Sequence, residues 1–148
     1  MLALLRDRPS LERWRDDDSL DKTAVEELLR YDPPAQMVLR VTLEPYAAGK
    51  EVVPKGSIII PLIAAANRDP LVFPEPRKLD LARADNPHLA FGGGAHFCIG
   101  ASLARLEGRI MLTKLLRTFP DIRPERGGVK RRPSFTIRGL SKLEVALR

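Results

Sequence analysis

Ten residues constrain this chain more than any others: Phe91-Gly-Gly-Gly-Ala-His-Phe-Cys-Ile-Gly100, running straight into the strongest helical pattern of the sequence. Three consecutive glycines remove every Cβ from residues 92–94, so the backbone there can take positive φ and approach a ligand closely. The pattern that follows sets Leu103, Leu106, Ile110, Leu115 and Phe119 on one side of a helix, with Arg105, Arg109, Lys114 and Arg117 offset from them. The fold must therefore present a glycine loop at the start of a long helix. Cys98, the one cysteine, falls where the two meet. At that place the helix dipole and free backbone N–H groups favour thiolate over thiol. Those N–H groups can also donate to the sulfur and tune a metal bound to it.

Several chemistries use a glycine loop or a cysteine. Phosphate cradles carry GxGxxG or GxxxxGK[ST], and neither is present. A zinc site built on Cys98 and His96 needs two more ligands, and the only other histidine is His88. A histidine two residues from the thiol in a tight loop is poorly placed as the base of a protease-type nucleophile. The loop read by itself gives a buried cysteine of low pKa, either a ligand or a nucleophile.

The surroundings read as a mixed fold, helical for the most part, with long ordered loops; thirteen prolines and ten glycines argue against a plain helical bundle. A helical region over residues 2–16 is expected to be interrupted at Pro9, with Ser10 capping its second half. Asp21 or Thr23 is expected to cap a helix over 24–31, which Pro33-Pro34 must end. Residues 36–43 and 51–53 are strand candidates with a turn at Gly49. Pro54-Lys55-Gly56 marks another turn, and 57–60 suits a buried strand. A short helix over 62–67 precedes 68–90, which carries several prolines and little periodicity but is anchored by Phe73, Leu79, Leu81 and Leu89. Short strands around 134–137 and 142–147, with turns at Gly127-Gly128 and Gly139, complete the chain.

Charge and length narrow the partners. The formal charge is +6, which invites nucleic acid, but no basic run interleaved with aromatics occurs and Lys130-Arg131-Arg132 is a short solvated cluster. A basic face suits an acidic protein instead. The N-terminal residues 1–5 are too short for a signal segment, and no stretch reaches the length of a membrane span. The expectation is a soluble cytoplasmic protein, without nucleic acid or membrane as partner.

Phe91-Gly92-x-Gly94-x-His96-x-Cys98-x-Gly100 resembles the haem-binding loop of the cytochrome P-450 family. Glu27-Leu-Leu-Arg30 resembles the ExxR helix of that family. Ala66-Asn-Arg-Asp-Pro70, Phe73-Pro74, Leu79-Asp80 and Arg83 resemble its meander, with Leu79 where phenylalanine is more usual. The likeness covers essentially the whole chain and is nearest to soluble bacterial members. It implies an α+β fold, mostly α: the C-terminal part of the cytochrome P-450 fold, with the ExxR helix, small β-sheet, meander, cysteine loop and long helix after the cysteine. The N-terminal part, including the central oxygen-activating helix, would lie outside residues 1–148.

The resemblance also implies roles. Cys98 would ligate the iron of haem b, and a thiolate there favours O–O cleavage. Phe91, Gly92 and Gly100 would shape the loop, and His96 and Arg40 would bond the haem propionates. Taken alone, Arg40 is an exposed strand arginine, and Glu27 with Arg30 a surface ion pair. The family implies that Glu27, Arg30 and Arg83 form a buried cluster serving folding and haem retention. Met37, Val38, Leu39 and Thr136 would face a pocket for a hydrophobic small molecule. Arg105 and Arg109 would dock a ferredoxin or a flavodoxin-like donor that passes on electrons from NAD(P)H. The implied reaction is monooxygenation, inserting one oxygen atom into a hydrophobic substrate. The alternative is a truncated remnant that binds haem without catalysis.

Overall fold

The computed structural model describes residues 1–147. The first 31 residues are helical: α1 (Leu2–Arg6), α2 (Arg8–Asp16), a 3-10 turn (Asp18–Asp21) and α3 (Thr23–Tyr31). The break between α1 and α2 falls at Asp7 rather than at Pro9. Pro9 instead occupies the first turn of α2, where its missing N–H would have had no helical partner. Asp7, not Ser10, caps α2: its carboxylate accepts from the Ser10 N–H at 3.4 Å and from the Ser10 hydroxyl at 2.8 Å. Neither Asp21 nor Thr23 caps α3. Lys22 stands at that position without a side-chain bond, because the Asp21 carboxylate is taken by Trp14 Nε1 at 2.9 Å and by an Arg117 guanidinium nitrogen at 3.0 Å.

Three two-stranded antiparallel sheets follow among the described residues. β1 (Arg40–Val41) pairs with β4 (Ile58–Ile59), and β2 (Tyr46–Ala48) pairs with β3 (Glu51–Val53) around Gly49, whose φ of 64° fits the expected turn. The strand expected over 36–43 shrinks to two residues. Its earlier part is held by scattered bonds instead: Gln36 N–H to the Thr136 carbonyl at 2.8 Å and Val38 N–H to the Pro61 carbonyl at 3.2 Å. The buried strand expected at 57–60 is also corrected, since Ile58 is 65% exposed on a sheet too narrow to cover it. At 134–137 there is no strand, only a single bridge from Ile137 to Ala35.

A short helix α4 (Ile63–Ala66) leads into the irregular 68–90 segment, then comes α5 (Ala101–Thr118). β5 (Arg123–Arg131) and β6 (Leu140–Ala146) form the longest hairpin. Gly127-Gly128, expected as a turn, lies inside β5 at a register shift. Gly127 has φ 76°, and a Cβ on Gly128 would sit 2.7 Å from Glu144 Cβ, so the strand crosses its partner where only glycine fits.

The core joins α1, α2, α3 and α5 through Leu4, Leu11, Trp14, Ala24, Leu112 and Leu116, with Leu81 from the irregular segment. Each large side chain buried there contributes roughly 1.5–3 kcal/mol. The face of α5 that meets this core is only in part the stripe read from the sequence, since Leu115 and Phe119 pack against it but the earlier members do not. Leu112 and Leu116 are buried, whereas Leu103, Leu106 and Ile110 are exposed. Gly108 faces Val25 of α3, where a Cβ would lie in ordinary contact at 3.5 Å. Apolar residues occur on more than one side of α5, so periodicity could not choose the buried side.

Candidate functional site

The loop that carries Cys98 is held by its own backbone. Gly92 and Gly94 take φ of 73° and 62°. The Gly92 N–H donates to the Leu89 carbonyl at 2.9 Å, and a 3-10 turn (Gly94–His96) follows. The Cys98 N–H then returns to the Phe91 carbonyl at 2.9 Å, closing the loop. Ala101, the first residue of α5, donates its N–H to the Cys98 carbonyl at 3.2 Å, so this helix-start amide serves the backbone and not the sulfur.

Cys98 is exposed, which corrects the expectation of a buried thiol. Three side-chain-free residues lie in the loop before it, and among the described residues no element covers the thiol. The thiol instead opens into a groove of about 470 Å³ shared with Val38, Arg40, Leu89, Phe91 and His96. Ile63 and Pro61 form more of the apolar wall. The structure thus brings together Cys98, His96, Arg40, Phe91, Gly92 and Val38 from two separate stretches of chain. It does not bring Met37, Leu39 or Thr136 to this wall. Leu39 points to solvent, and the Thr136 backbone is engaged by Gln36. Gly100 closes the loop behind the thiol, where a Cβ would lie 3.9 Å from Cys98 Sγ.

The donor set says what the groove can hold. Among the described residues no three of His, Cys, Asp and Glu stand together as a metal site. A metal bound to Cys98 must therefore bring its other ligands with it. Two cationic or donor side chains, Arg40 and His96, border apolar walls, which fits a large flat apolar group carrying acidic substituents. Among the described residues Arg40 donates only to the neighbouring Leu39 carbonyl, at 2.8 Å.

Beneath the loop lies the ion cluster. Glu27 and Arg30 are both 0% exposed and meet in a two-pronged bond at 2.7 and 2.8 Å. Arg30 also donates to the carbonyls of Asn67 and Pro76, each at 2.9 Å, and of Lys78 at 3.1 Å. Its guanidinium carbon stands 5.4 Å from the Phe73 ring centre. Glu27 further accepts from the Asp80 N–H at 2.8 Å, Arg83 Nε at 3.1 Å and Asn86 Nδ2 at 3.2 Å. The surface-pair reading of Glu27 and Arg30 is thus set aside by their complete burial. Asn67 was missed by side-chain reasoning: its Oδ1 accepts the Leu89 N–H at 2.7 Å and so ties the cluster to the entrance of the cysteine loop.

Sequence reasoning also missed Glu26 and His88. Glu26 takes both Arg105 nitrogens, Nε at 2.7 Å and a terminal nitrogen at 2.9 Å, and His88 Nε2 lies 3.1 Å away. Burial pushes the Glu26 carboxyl up, but Arg105 and His88 together hold it below its ordinary value. Burial pushes the His88 imidazole down, against the pull of Glu26. Arg105, expected to dock an electron donor, has its guanidinium held by Glu26, with its side chain 37% exposed. Arg109 lines a cavity of about 540 Å³ between α3 and α5 with Lys22, Arg83 and Ser102. No single-sequence signal links Glu26 to partners 62 and 79 residues away.

A family model described as "Cytochrome P450" matches residues 19–143. The chain is 41% identical over 145 residues to a biotin biosynthesis cytochrome P450 of Bacillus subtilis, covering 98% of this chain and 37% of that relative. A crystal structure of P450BioI in complex with an acyl carrier protein ligated to hexadec-9Z-enoic acid superposes with a TM-score of 0.95 at 40% identity, over 99% of this chain and 38% of that one. Another, of CYP109E1 from Bacillus megaterium with testosterone, gives a TM-score of 0.94 at 33% identity, over 99% and 41%. The chain thus spans little more than a third of the length of the curated relative it matches.

Proposed function

Since the chain belongs to the cytochrome P450 family, we propose that its residues form the C-terminal haem-binding portion of a haem-thiolate monooxygenase, with Cys98 as the iron ligand. The observation that carries this reading is the groove where one thiol, two propionate-type donors and apolar walls converge, with no cluster of three protein metal ligands among the described residues. Bound there, haem b would supply the reductive activation of oxygen, on electrons from NAD(P)H delivered by a redox partner, for insertion of one oxygen atom into a hydrophobic substrate.

The chain's own residues do the holding. Cys98 offers its thiolate from a loop whose backbone bonds leave the sulfur facing the groove. Arg40 and His96 donate hydrogen bonds to acidic groups at the rim, Arg40 with a planar fork that suits carboxylate. Val38, Ile63, Leu89 and Phe91 keep water from the faces of the bound group. Glu27, Arg30 and Arg83 lock the ExxR helix to the meander beneath. Val38 is the one residue of the sequence-derived substrate set on this wall, and a hydrophobic substrate agrees with the fatty acyl and steroid ligands of the related structures. The cationic cavity of Lys22 and Arg109 suits an acidic electron donor. No helix among the described residues is long and apolar enough to cross a membrane. The cytoplasm is the proposed location, where a lone thiol stays reduced.

A second reading, haem binding without turnover, is favoured by the apolar side chains bare on and before α5, including Ile99, Leu103 and Met111. Two measurements test the pair. The haem-loaded chain should give a red-shifted thiolate-type band in the reduced carbon-monoxide difference spectrum, and Cys98→Ser should lose it. An unchanged spectrum in Cys98→Ser overturns the ligand assignment. Turnover with an electron donor is expected to be absent for residues 1–148 alone, and measurable oxygenation by them would remove the second reading.

A further inference from the structure

Glu26 is adjacent to Glu27 in the sequence but serves a different part of the molecule. From α3 its carboxylate gathers Arg105 of α5, at 2.7 and 2.9 Å, and His88 of the segment before the cysteine loop, at 3.1 Å. Both partners rest on Phe91. The Arg105 guanidinium carbon stands 4.6 Å from the Phe91 ring centre, and the His88 ring centre lies 6.1 Å from it. Phe91 in turn accepts the Cys98 N–H on its carbonyl at 2.9 Å. A continuous set of contacts therefore runs from the Glu26 carboxylate to the amide of the cysteine. We propose that Glu26 is a positioning residue for Cys98: by locking Arg105 and His88 against Phe91 it fixes where the ligand loop sits. The proposal rests on Cys98 being the iron ligand, but its effect on the loop is measurable without haem.

The geometry also sets the protonation it needs. The Ala90 N–H donates to His88 Nδ1 at 3.2 Å, so that nitrogen is an acceptor and Nε2 carries the proton shared with Glu26. This tautomer follows from the hydrogen-bond network. A second proton on Nδ1 would set donor against donor and release residue 90 at the mouth of the loop. The charged groups facing His88 are Glu26 from α3 and Arg105 from α5. A plain helix-to-helix tie would not require any of this. Arg117 supplies such a tie at the far end of α5, bonding Asp18 at 2.7 Å and Asp21 at 3.0 Å, away from the loop.

Amide hydrogen exchange on the full chain without haem tests the proposal. Glu26→Gln should speed exchange at the Cys98 amide about tenfold or more, with the core amides of Leu112 and Leu116 unchanged. Arg105→Lys keeps the charge but loses the fork and the flat stacking, so it should give a smaller rise of the same kind; it carries the test if Glu26→Gln folds poorly. Arg117→Gln should leave the Cys98 amide as it was. In the haem-loaded chain, Glu26→Gln should increase the share of the unshifted, non-thiolate carbon-monoxide band. Lowering the pH through the His88 titration should do the same in the wild type but not in His88→Gln. Unaltered Cys98 exchange in both Glu26→Gln and Arg105→Lys overturns the proposal, and so does an equal rise in Arg117→Gln. If the exchange changes appear while Cys98→Ser keeps the wild-type spectrum, the iron-ligand assignment fails and the loop-fixing role of Glu26 stands.

Discussion

The Glu27 joint and the Cys98 groove are linked through Asn67 and Leu89, yet they treat their polar groups in opposite ways. At the joint the ions are saturated, although Asn67 Nδ2 and Asn86 Oδ1 beside them are buried without a partner among the described residues. The Glu27 oxygens accept from Arg30, Arg83, Asn86 and the Asp80 amide, and Arg30 donates to three carbonyls besides. The Glu27–Arg30 pair is fully engaged within the protein, so its contribution is to hold α3 against the 67–86 segment. At the groove the strong groups are left with capacity. Among the described residues Arg40 has only its neighbour's carbonyl, and the Cys98 thiol opens outward. Buried ions survive only when completely paired, whereas a binding group must keep its valence for what it binds. The difference in saturation, more than charge or burial alone, separates the part that folds the chain from the part that serves it.

The widest gap between the two regions should appear in stability. Arg30→Leu leaves the Glu27 carboxylate buried without its main partner, and a broken buried pair costs roughly 3–5 kcal/mol. Urea denaturation of the variant checks this, and a loss below about 1 kcal/mol would mean the joint tolerates an unpaired ion and the contrast is false. Arg83→Leu should do less, roughly 1–3 kcal/mol, because Arg83 gives Glu27 one bond at 3.1 Å while Arg30 gives two shorter ones. If both arginines score alike, the cluster acts as one unit rather than as a primary pair with a support.

The joint was legible in the sequence, and the reason is local. Glu27 and Arg30 are three apart on one helix, so their spacing already places them together, and the meander motif around Asn67 and Arg83 names the other side. The glycine loop was legible as well, since positive φ at Gly92 and Gly94 is what those residues are for. What the sequence hid was decided by distant packing. Glu26 looks no different from Glu27 until α5 places Arg105 beside it. The buried side of α5 could not be chosen because Leu103, Leu106 and Ile110 read as apolar as Leu112 and Leu116. The strands over 36–43 and 134–137 failed because β-branched runs say nothing about whether a partner strand lies alongside. Burial of Cys98 failed because three glycines give a thiol no cover.

Acid sharpens the comparison with a smaller effect. Burial first, then the charge of Arg105, keeps the folded His88 below its ordinary value of 6.5, against Glu26. Below that value the unfolded chain takes up a proton that the folded chain still refuses. The unfolded state then binds more protons, so the stability owed to neutral His88 is whole above about pH 6.5 and declines as pH falls toward the folded pKa. Urea midpoints followed downward from about pH 7 should fall in the wild type and fall less in His88→Gln. Equal slopes would show that His88 is not what couples this side of the loop to acid. Glu26, also held low, adds a loss of the same sign only below its ordinary 4.5, so the two windows separate.

Cys98→Ser should produce the smallest change of all in the chain without haem, within about 0.5 kcal/mol, as for an exposed side chain away from caps and core. The swap keeps a small polar group on a loop whose hydrogen bonds are made by backbone atoms, the Cys98 N–H to Phe91 and the Cys98 carbonyl to Ala101. Neither bond involves sulfur. Urea denaturation should therefore superimpose on the wild type, although the same substitution is expected to abolish the thiolate spectrum once haem is added. That pairing, no loss of fold and complete loss of ligation, is what a group kept free for a ligand must show. A loss above about 1 kcal/mol without haem would make Cys98 part of the scaffold and erase the distinction between the loop and the joint.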